Sequence, residues 1–199
     1  MNALVNDQMD RVREILKNCP EIKFGYFTGD TKETVSADYR YKYEQENNVY
    51  IPSNELVSRE EIRKTPPHLL FTNYSMLEYL LIRPNDYSIF SSDKLANWKY
   101  VVLDEAHTYN GSLGIELSML LRRLTGLADK KPKFILTSAT LGQKGKSEKD
   151  IVNFAQNLTA SSFDVNDIIF AKRIPLTNEK LEYTVSGDCL LYTSDAADE

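Results

Sequence analysis

The sequence predicts an α/β fold in which a parallel sheet is covered by helices on both faces. Three observations carry that expectation. Short unbroken apolar runs, in "EIKFGYF", "HLLFT", "KYVVLDE" and "KPKFILTSAT", alternate with stretches of helical period, and strands buried on both faces read as continuous apolar runs rather than alternating ones. Polar residues follow directly on Leu103 and Leu136, and on Leu70 after Phe71, which places them on one rim, where ligands gather in such sheets. At 199 residues the chain is long enough for one domain with an insertion and short for two.

Each element has a local reason. Leu4, Val5, Val12, Ile15 and Leu16 mark one face of a helix from about Asn2 to Asn18, which Pro20 stops by disfavouring helical geometry in the residue before it. "EIKFGYF" reads as a short strand. From Thr31 to Asn54 the chain turns polar, and Tyr39, Tyr41 and Tyr43 alternate with charged neighbours, so this stretch is expected as an excursion from the domain, in the form of a hairpin. A helix through "SREEIRK" leads to a strand at His68 to Thr72 and a helix that ends at Ile82 before Pro84. After "KYVVLDE", Leu117, Leu120, Leu121 and Leu124 fall at i, i+3, i+4 and i+7, a helical spacing that Gly126 is expected to end. "SEKDIVNFAQNL" is a further amphipathic helix with Ser147 as its N-cap, and "FDVNDIIFAKRIP" is expected to add one more strand.

Composition excludes several classes. Apolar residues at 42% and charged residues at 27% are ordinary for a globular protein. No apolar run approaches the roughly 20 residues needed to span a bilayer, and the first residues lack the basic and apolar regions of a signal peptide. Cys19 and Cys189 match no metal-ligand spacing, so a reducing cytoplasm is expected. A net charge of −5 argues against a wholly electrostatic nucleic-acid binder and leaves room for a local basic strip.

The stretch "VVLDEAHTYNG", residues 101–111, ends a buried run in two acids and a histidine. An aspartate at a strand's end suits a hydrated Mg²⁺, because this hard cation takes one or two carboxylates and keeps its waters for substrate phosphates. Glu105, pointing the other way, can polarise an attacking water, the arrangement that phosphoryl transfer needs. On its own, "DEAH" reads equally as an N-cap aspartate among solvated charges.

The neighbouring motifs add a resemblance. "VVLDEAH" followed by "TSAT" at 137–140 resembles motifs II and III of superfamily 2 helicases of the DEAD/DEAH-box type. "MNALVNDQ" resembles motif Ia, "YFTGD" the glycine-containing motif after it, and "HLLFTNYSMLEYLL" motif Ib, all in the family's order across residues 1–140. The fuller wording is similar to large bacterial DNA helicases of repair and phage defence, related to the mitomycin-repair helicase. The resemblance implies a RecA-like domain of the P-loop NTPase type, ATP and Mg²⁺ as cofactors, and DNA as partner, with RNA left open. It implies that Asp104 positions Mg²⁺ through water, that Glu105 is the general base, and that His107, Ser138 and Thr140 couple hydrolysis to movement. By the same resemblance Asn2, Ala3, Leu4, Gln8, Thr28, Gly29, Thr72 and Asn73 line the surface that tracks a single strand's phosphates, for which a helix N-terminus and a glycine that admits close approach give the physical reason.

Plainer readings stand beside these. His107 also fits a strand-end histidine, Ser138 and Thr140 turn-capping hydroxyls, and Gly29 a tight turn. Arg122 and Arg123 sit where cations complement a helix dipole, His68 reads as structural, and the tyrosines read either as base-stacking groups or as an exposed polar insert.

In the family a phosphate-binding loop and first strand precede motif Ia, and a second RecA-like domain with its arginine finger follows. "GQKGKSEK", 142–149, imitates the loop, but the pattern needs a glycine where Thr140 stands. The chain is therefore expected to be part of a helicase and not to hydrolyse ATP by itself. Residues 1–175 are expected to form the partial motor domain with its insert at about 31–54, and 176–188 a linker or the start of the next segment. Residues 189–199, "CLLYTSDAADE", are expected to be a non-native tail, because they depart from the preceding chain and one choice of codons for them spells a sequencing adaptor. A non-catalytic nucleic-acid or partner-binding module is the alternative. A metal-dependent nuclease built on Asp104, Glu105 and His107 needs more ligands than the sequence offers.

Overall fold

The computed structural model describes residues 2–90, 98–128, 130–139 and 147–170, leaving aside the side chains of residues 2–7 and 87. The fold presented is that of the compact unit ending at Asp167. In chain order it comprises α1 (Asn2–Leu16), β1 (Phe24–Phe27), α2 (Tyr39–Asn47), β2 (Glu55–Leu56), α3 (Arg59–Lys64), β3 (Leu69–Thr72), α4 (Tyr74–Ile82), β4 (Tyr100–Leu103), α5 (Gly111–Leu127), β5 (Lys133–Leu136) and α6 (Glu148–Thr159). Every described strand pairing is parallel. The strands form a three-stranded sheet in the order β2-β1-β3 and a two-stranded sheet β4-β5, so the expected α/β class holds, while the described strands make two sheets rather than one.

The first sheet is covered on both faces because its strands are apolar on both. Phe24 and Tyr26 of β1, with Phe71 of β3, meet Met9, Val12 and Leu16 of α1. Phe27 and Leu70, which point the other way, join Ile62 of α3 and Met76, Leu80 and Leu81 of α4. Gly25 is required by this crowding. A Cβ there would lie 2.8 Å from the Leu56 carbonyl oxygen. The same core continues through Leu103, Phe134, the α5 leucines 117, 120, 121 and 124, and Leu158 of α6. The second sheet uses only one face in this way. On its other face Tyr100 is 55% exposed, Val102 57% and Ile135 45%, so among the described residues this face of β4-β5 is left open.

Two polar anchors hold α1 to the first sheet. Glu55, 0% exposed on β2, accepts two hydrogen bonds from Arg13, Nε to Oε2 at 2.7 Å and Nη2 to Oε1 at 2.8 Å, while Arg13 Nη1 donates to Asp10 at 2.7 Å. Asn54 donates from Nδ2 to the carbonyls of Leu16, Cys19 and Ile22 at 2.9–3.1 Å, which ties the last carbonyl of α1 to the turn that follows it.

The excursion at 31–54 is not a hairpin but contains α2. Its Tyr-X-Tyr-X-Tyr spacing looks like period two, yet the interactions run i to i+4: Asp38 pairs with Lys42, and the rings of Tyr39 and Tyr43 meet at 5.8 Å. Such pairs stabilise helices. Asn48, in the left-handed region at φ 52°, ends it. Arg40 fastens α2 to the carbonyls of Pro52 at 3.1 Å and Glu55 at 2.6 Å. Gly126 lies inside α5 rather than after it, and the helix stops where Ala128 becomes extended. The expected strand at "FDVNDIIFAKRIP" is a 3-10 turn at Val165–Asp167 in its described part, and residues 171–175 lie outside the described residues, as do the expected linker and tail. Ser147 caps α6 as expected, accepting from the Asp150 N–H in a reciprocal capping box. No described helix is long and apolar enough to cross a membrane.

Replacing Arg13 by Met leaves the Glu55 carboxylate buried and unpaired, and a loss of about 3–5 kcal/mol in unfolding free energy is expected, with part of it recovered when Glu55→Gln is added; denaturant titration of both proteins measures this. Gly25→Ala is expected to cost about 1–3 kcal/mol by overpacking against β2, read by the same titration.

Candidate active site

The site follows from strand register. β4 and β5 run parallel with Leu103 opposite Leu136, so the next residues, Asp104 and Thr137, leave the sheet side by side. Backbone bonds extend the ladder beyond the strands: the Thr137 N–H donates to the Leu103 carbonyl at 2.9 Å and the Ala106 N–H to the Thr137 carbonyl at 2.8 Å. The Thr137 hydroxyl then donates to Asp104 Oδ1. The Glu105 backbone N–H reaches the same oxygen at 3.1 Å, and Gln8 Nε2 donates to Oδ2 at 2.8 Å. These donors, Thr137 foremost, outweigh desolvation and hold the Asp104 carboxyl below the usual carboxylate range. The residue remains exposed.

Glu105 takes the opposite direction because its backbone is left-handed, at φ 47° and ψ 45°, a conformation that costs a residue with a side chain roughly 1–2 kcal/mol. The turn buries Ala106 and leaves Glu105 exposed. Bonds to the Glu105 carbonyl from the Thr108 N–H at 2.9 Å and its hydroxyl at 2.8 Å brace it. Glu105 Oε2 lies 3.1 Å from His107 Nδ1, and that nitrogen lies 3.1 Å from Ser138 Oγ. Glu105 Oε2 and Ser138 Oγ thus both lie within hydrogen-bond distance of that one nitrogen. His107 thereby bridges the turn after β4 to the turn after β5.

The other candidates occupy the ends of β1 and β3, where Phe27 stands opposite Thr72. The Thr72 hydroxyl donates to the Phe27 carbonyl at 2.7 Å, and Asn73 caps α4 by accepting from the Met76 N–H at 2.8 Å. The Thr28 N–H donates to Thr31 Oγ1 at 2.9 Å, and Arg59 Nη2 donates to the carbonyls of Thr28 and Gly29 at 3.0 and 3.2 Å. A Cβ on Gly29 would meet nothing within 4 Å, so packing does not demand glycine there, and the space above it is open. Asn2, Ala3 and Leu4 form the start of α1. Gln8, grouped by sequence with the strand-tracking residues, is instead bonded to Asp104, and through it α1 touches the acid pair. Arg122 and Arg123 are engaged locally, with Ser118 and with Glu78 at 3.6 Å respectively.

Thr137 is the residue that motif reading passed over in favour of Ser138 and Thr140. The signal was present: the first residue after β5 must stand beside the first residue after β4. Thr140 lies outside the described residues.

An exposed carboxylate with one side-chain donor on Oδ2 fits a cation that retains its waters, as Mg²⁺ does. No group of three or more His, Cys, Asp and Glu residues suited to a metal exists among the described residues, so a wholly protein-ligated ion does not fit among them.

The model of the DEAD/DEAH box helicase family matches residues 1–147. Druantia protein DruE of Escherichia coli is 44% identical over 117 residues, which is 54% of this chain and 6% of that protein. The ATP-dependent helicase hrq1 of Schizosaccharomyces pombe is 37% identical over 146 residues, 70% of this chain and 11% of that one. Among solved structures, that of DUF1998 helicase MrfA bound to DNA matches with a TM-score of 0.53 at 26% identity, over 81% of this chain and 18% of that chain. The chain thus spans less than a fifth of each of these relatives, and its fold is the RecA-like α/β type of its helicase neighbours. Residues 104–107 and 137–139 both fall inside the matched span, and the chain belongs to the DEAD/DEAH box helicase family.

Proposed function

We propose that this chain is part of the first motor domain of an ATP-dependent DNA helicase or translocase, and that residues 104–107 and 137–139 form the part of its nucleotide site that lies at the ends of β4 and β5. The observation that carries the proposal is the Asp104 carboxylate, fixed by Thr137 and Gln8 beside an exposed Glu105 that faces away from it. Magnesium nucleotide, when bound, supplies the scissile phosphoanhydride and a cation that neutralises its charge. Asp104 would hold that cation through water, and its three donors keep its carboxyl ionised. Glu105, free of those donors, accepts a proton from the attacking water. His107 connects Glu105 to Ser138, so a change at the acid is transmitted to the turn after β5. Thr28, Gly29, Thr72 and Asn73, with the first turn of α1, contact the phosphates of a DNA strand; two of the relatives are named as ATP-dependent or DNA-bound helicases, which supports this reading.

In the helicase that carries this domain, Glu105→Gln is expected to lower kcat for DNA-stimulated ATP hydrolysis by about 10²–10⁴-fold, the range typical of a lost general base, with nucleotide affinity nearly unchanged. A rate close to that of the parent would remove Glu105 from the role. Thr137→Val withdraws the strongest donor to Asp104 and is expected to raise the Mg²⁺ concentration for half-maximal hydrolysis several-fold, with little change at saturating Mg²⁺; a magnesium titration of both proteins checks it. Absence of nucleotide turnover in the parent itself would favour the non-catalytic binding module.

A further inference from the structure

Helix α2 contributes no buried residue, yet it is firmly placed, with Arg40 on two carbonyls of the β2 segment and Glu44 accepting from the Ile51 N–H at 2.7 Å. A helix held in position without adding to the core has its exposed face available for binding. That face borders a cavity of about 410 Å³, lined in part by Lys32, Tyr39, Lys42, Tyr43 and Glu46, a volume in the range of small-ligand pockets. The rings of Tyr39 and Tyr43 are 5.8 Å apart and tilted by 40°, too close to sandwich a third ring, so together they present one aromatic wall. The Lys32 ammonium lies over the Tyr39 ring, 4.6 Å from its centroid, so a base stacked on that face displaces it toward the adjoining phosphate. Lys42 is paired with Asp38 on the exposed surface, where such a pair contributes little and yields to a competing anion.

We infer that this cavity is a base-stacking site for single-stranded nucleic acid, with one nucleobase against the Tyr39–Tyr43 wall and the adjoining phosphates on Lys32 and Lys42. The inference rests on the nucleic-acid part of the function proposed above. Aromatic stacking combined with cations is the means by which single strands are held irrespective of sequence. Glu46, which only accepts, suits the exocyclic amine of a base. The cavity also joins the candidate strand-tracking edge through one braced turn: the Arg59 N–H donates to the Lys32 carbonyl at 3.0 Å, and the Arg59 guanidinium holds the carbonyls of Thr28 and Gly29.

The test is binding of the purified chain, at low ionic strength, to single-stranded oligodeoxycytidylate and to an abasic strand of equal length and charge. The base-bearing strand is expected to bind about tenfold more tightly, the scale of one stacked base. Tyr39→Ala with Tyr43→Ala is expected to abolish that ratio while leaving the salt dependence of abasic binding unchanged. Alanine favours helix, and circular dichroism verifies that α2 is retained. Tyr43→Phe is expected to keep the ratio and Tyr43→Leu to lose it, which separates stacking from packing should the double variant misfold. Equal affinities for the two strands, or a ratio that survives the double substitution, overturn the stacking site and leave the phosphate contacts standing. If neither strand binds, the site and the nucleic-acid reading both fall.

Discussion

A carboxylate fully removed from water must be paired, and the Glu55 side chain is in that position at the edge of the first sheet. Its partner, Arg13, comes from α1, so burial of one acid on a two-residue strand fixes the helix that covers that sheet. The adjoining Asn54 gathers the carbonyls where α1 ends, and the Glu55 backbone receives Arg40 from α2. Gln8 lies five residues before Arg13 on the same helix, a rise of about 7.5 Å at 1.5 Å per residue. Its contact with Asp104 is therefore set by the anchoring of Arg13, and the two sheets are related through a helix secured to one and bonded to the residue following the other.

The acid pair shows how neighbouring carboxylates acquire different chemistry. Asp104 continues the line of β4 and meets donors from a neighbouring turn, its own backbone and α1. Glu105 is turned aside by a left-handed backbone and lies 3.1 Å from His107 Nδ1. The first environment favours a fixed negative charge; the second points its carboxylate away from those donors. The strain at Glu105 is sustained by the hydrogen bonds of Thr108 and by the burial of Ala106, which the turn makes possible.

Most of the fold was legible because its signals are local. Apolar runs marked β1, β3, β4 and β5, the leucine spacing marked α5, and Ser147 marked the start of α6. The errors have physical causes. Tyrosines at every second position suggested a strand, while the energetically relevant neighbours were at i+4. Gly126 looked like a terminator, although glycine ends a helix only where the chain needs a left-handed residue, and here Ala128 leaves the helix in an extended conformation. For the candidate site, Asp104, Glu105, His107 and Ser138 could be selected by residue type and order. The role of Thr137 depends on parallel register, and the partner of Gln8 lies 96 positions away, a pairing that no local pattern records.

The bare side of β4-β5 has a practical consequence. Tyr100, Val102 and Ile135 present oil to water next to a β4 margin that has no partner among the described strands, and sticky surfaces beside open ladders promote association between copies. That greasy facet favours such association, while the chain's negative charge supplies the opposing repulsion.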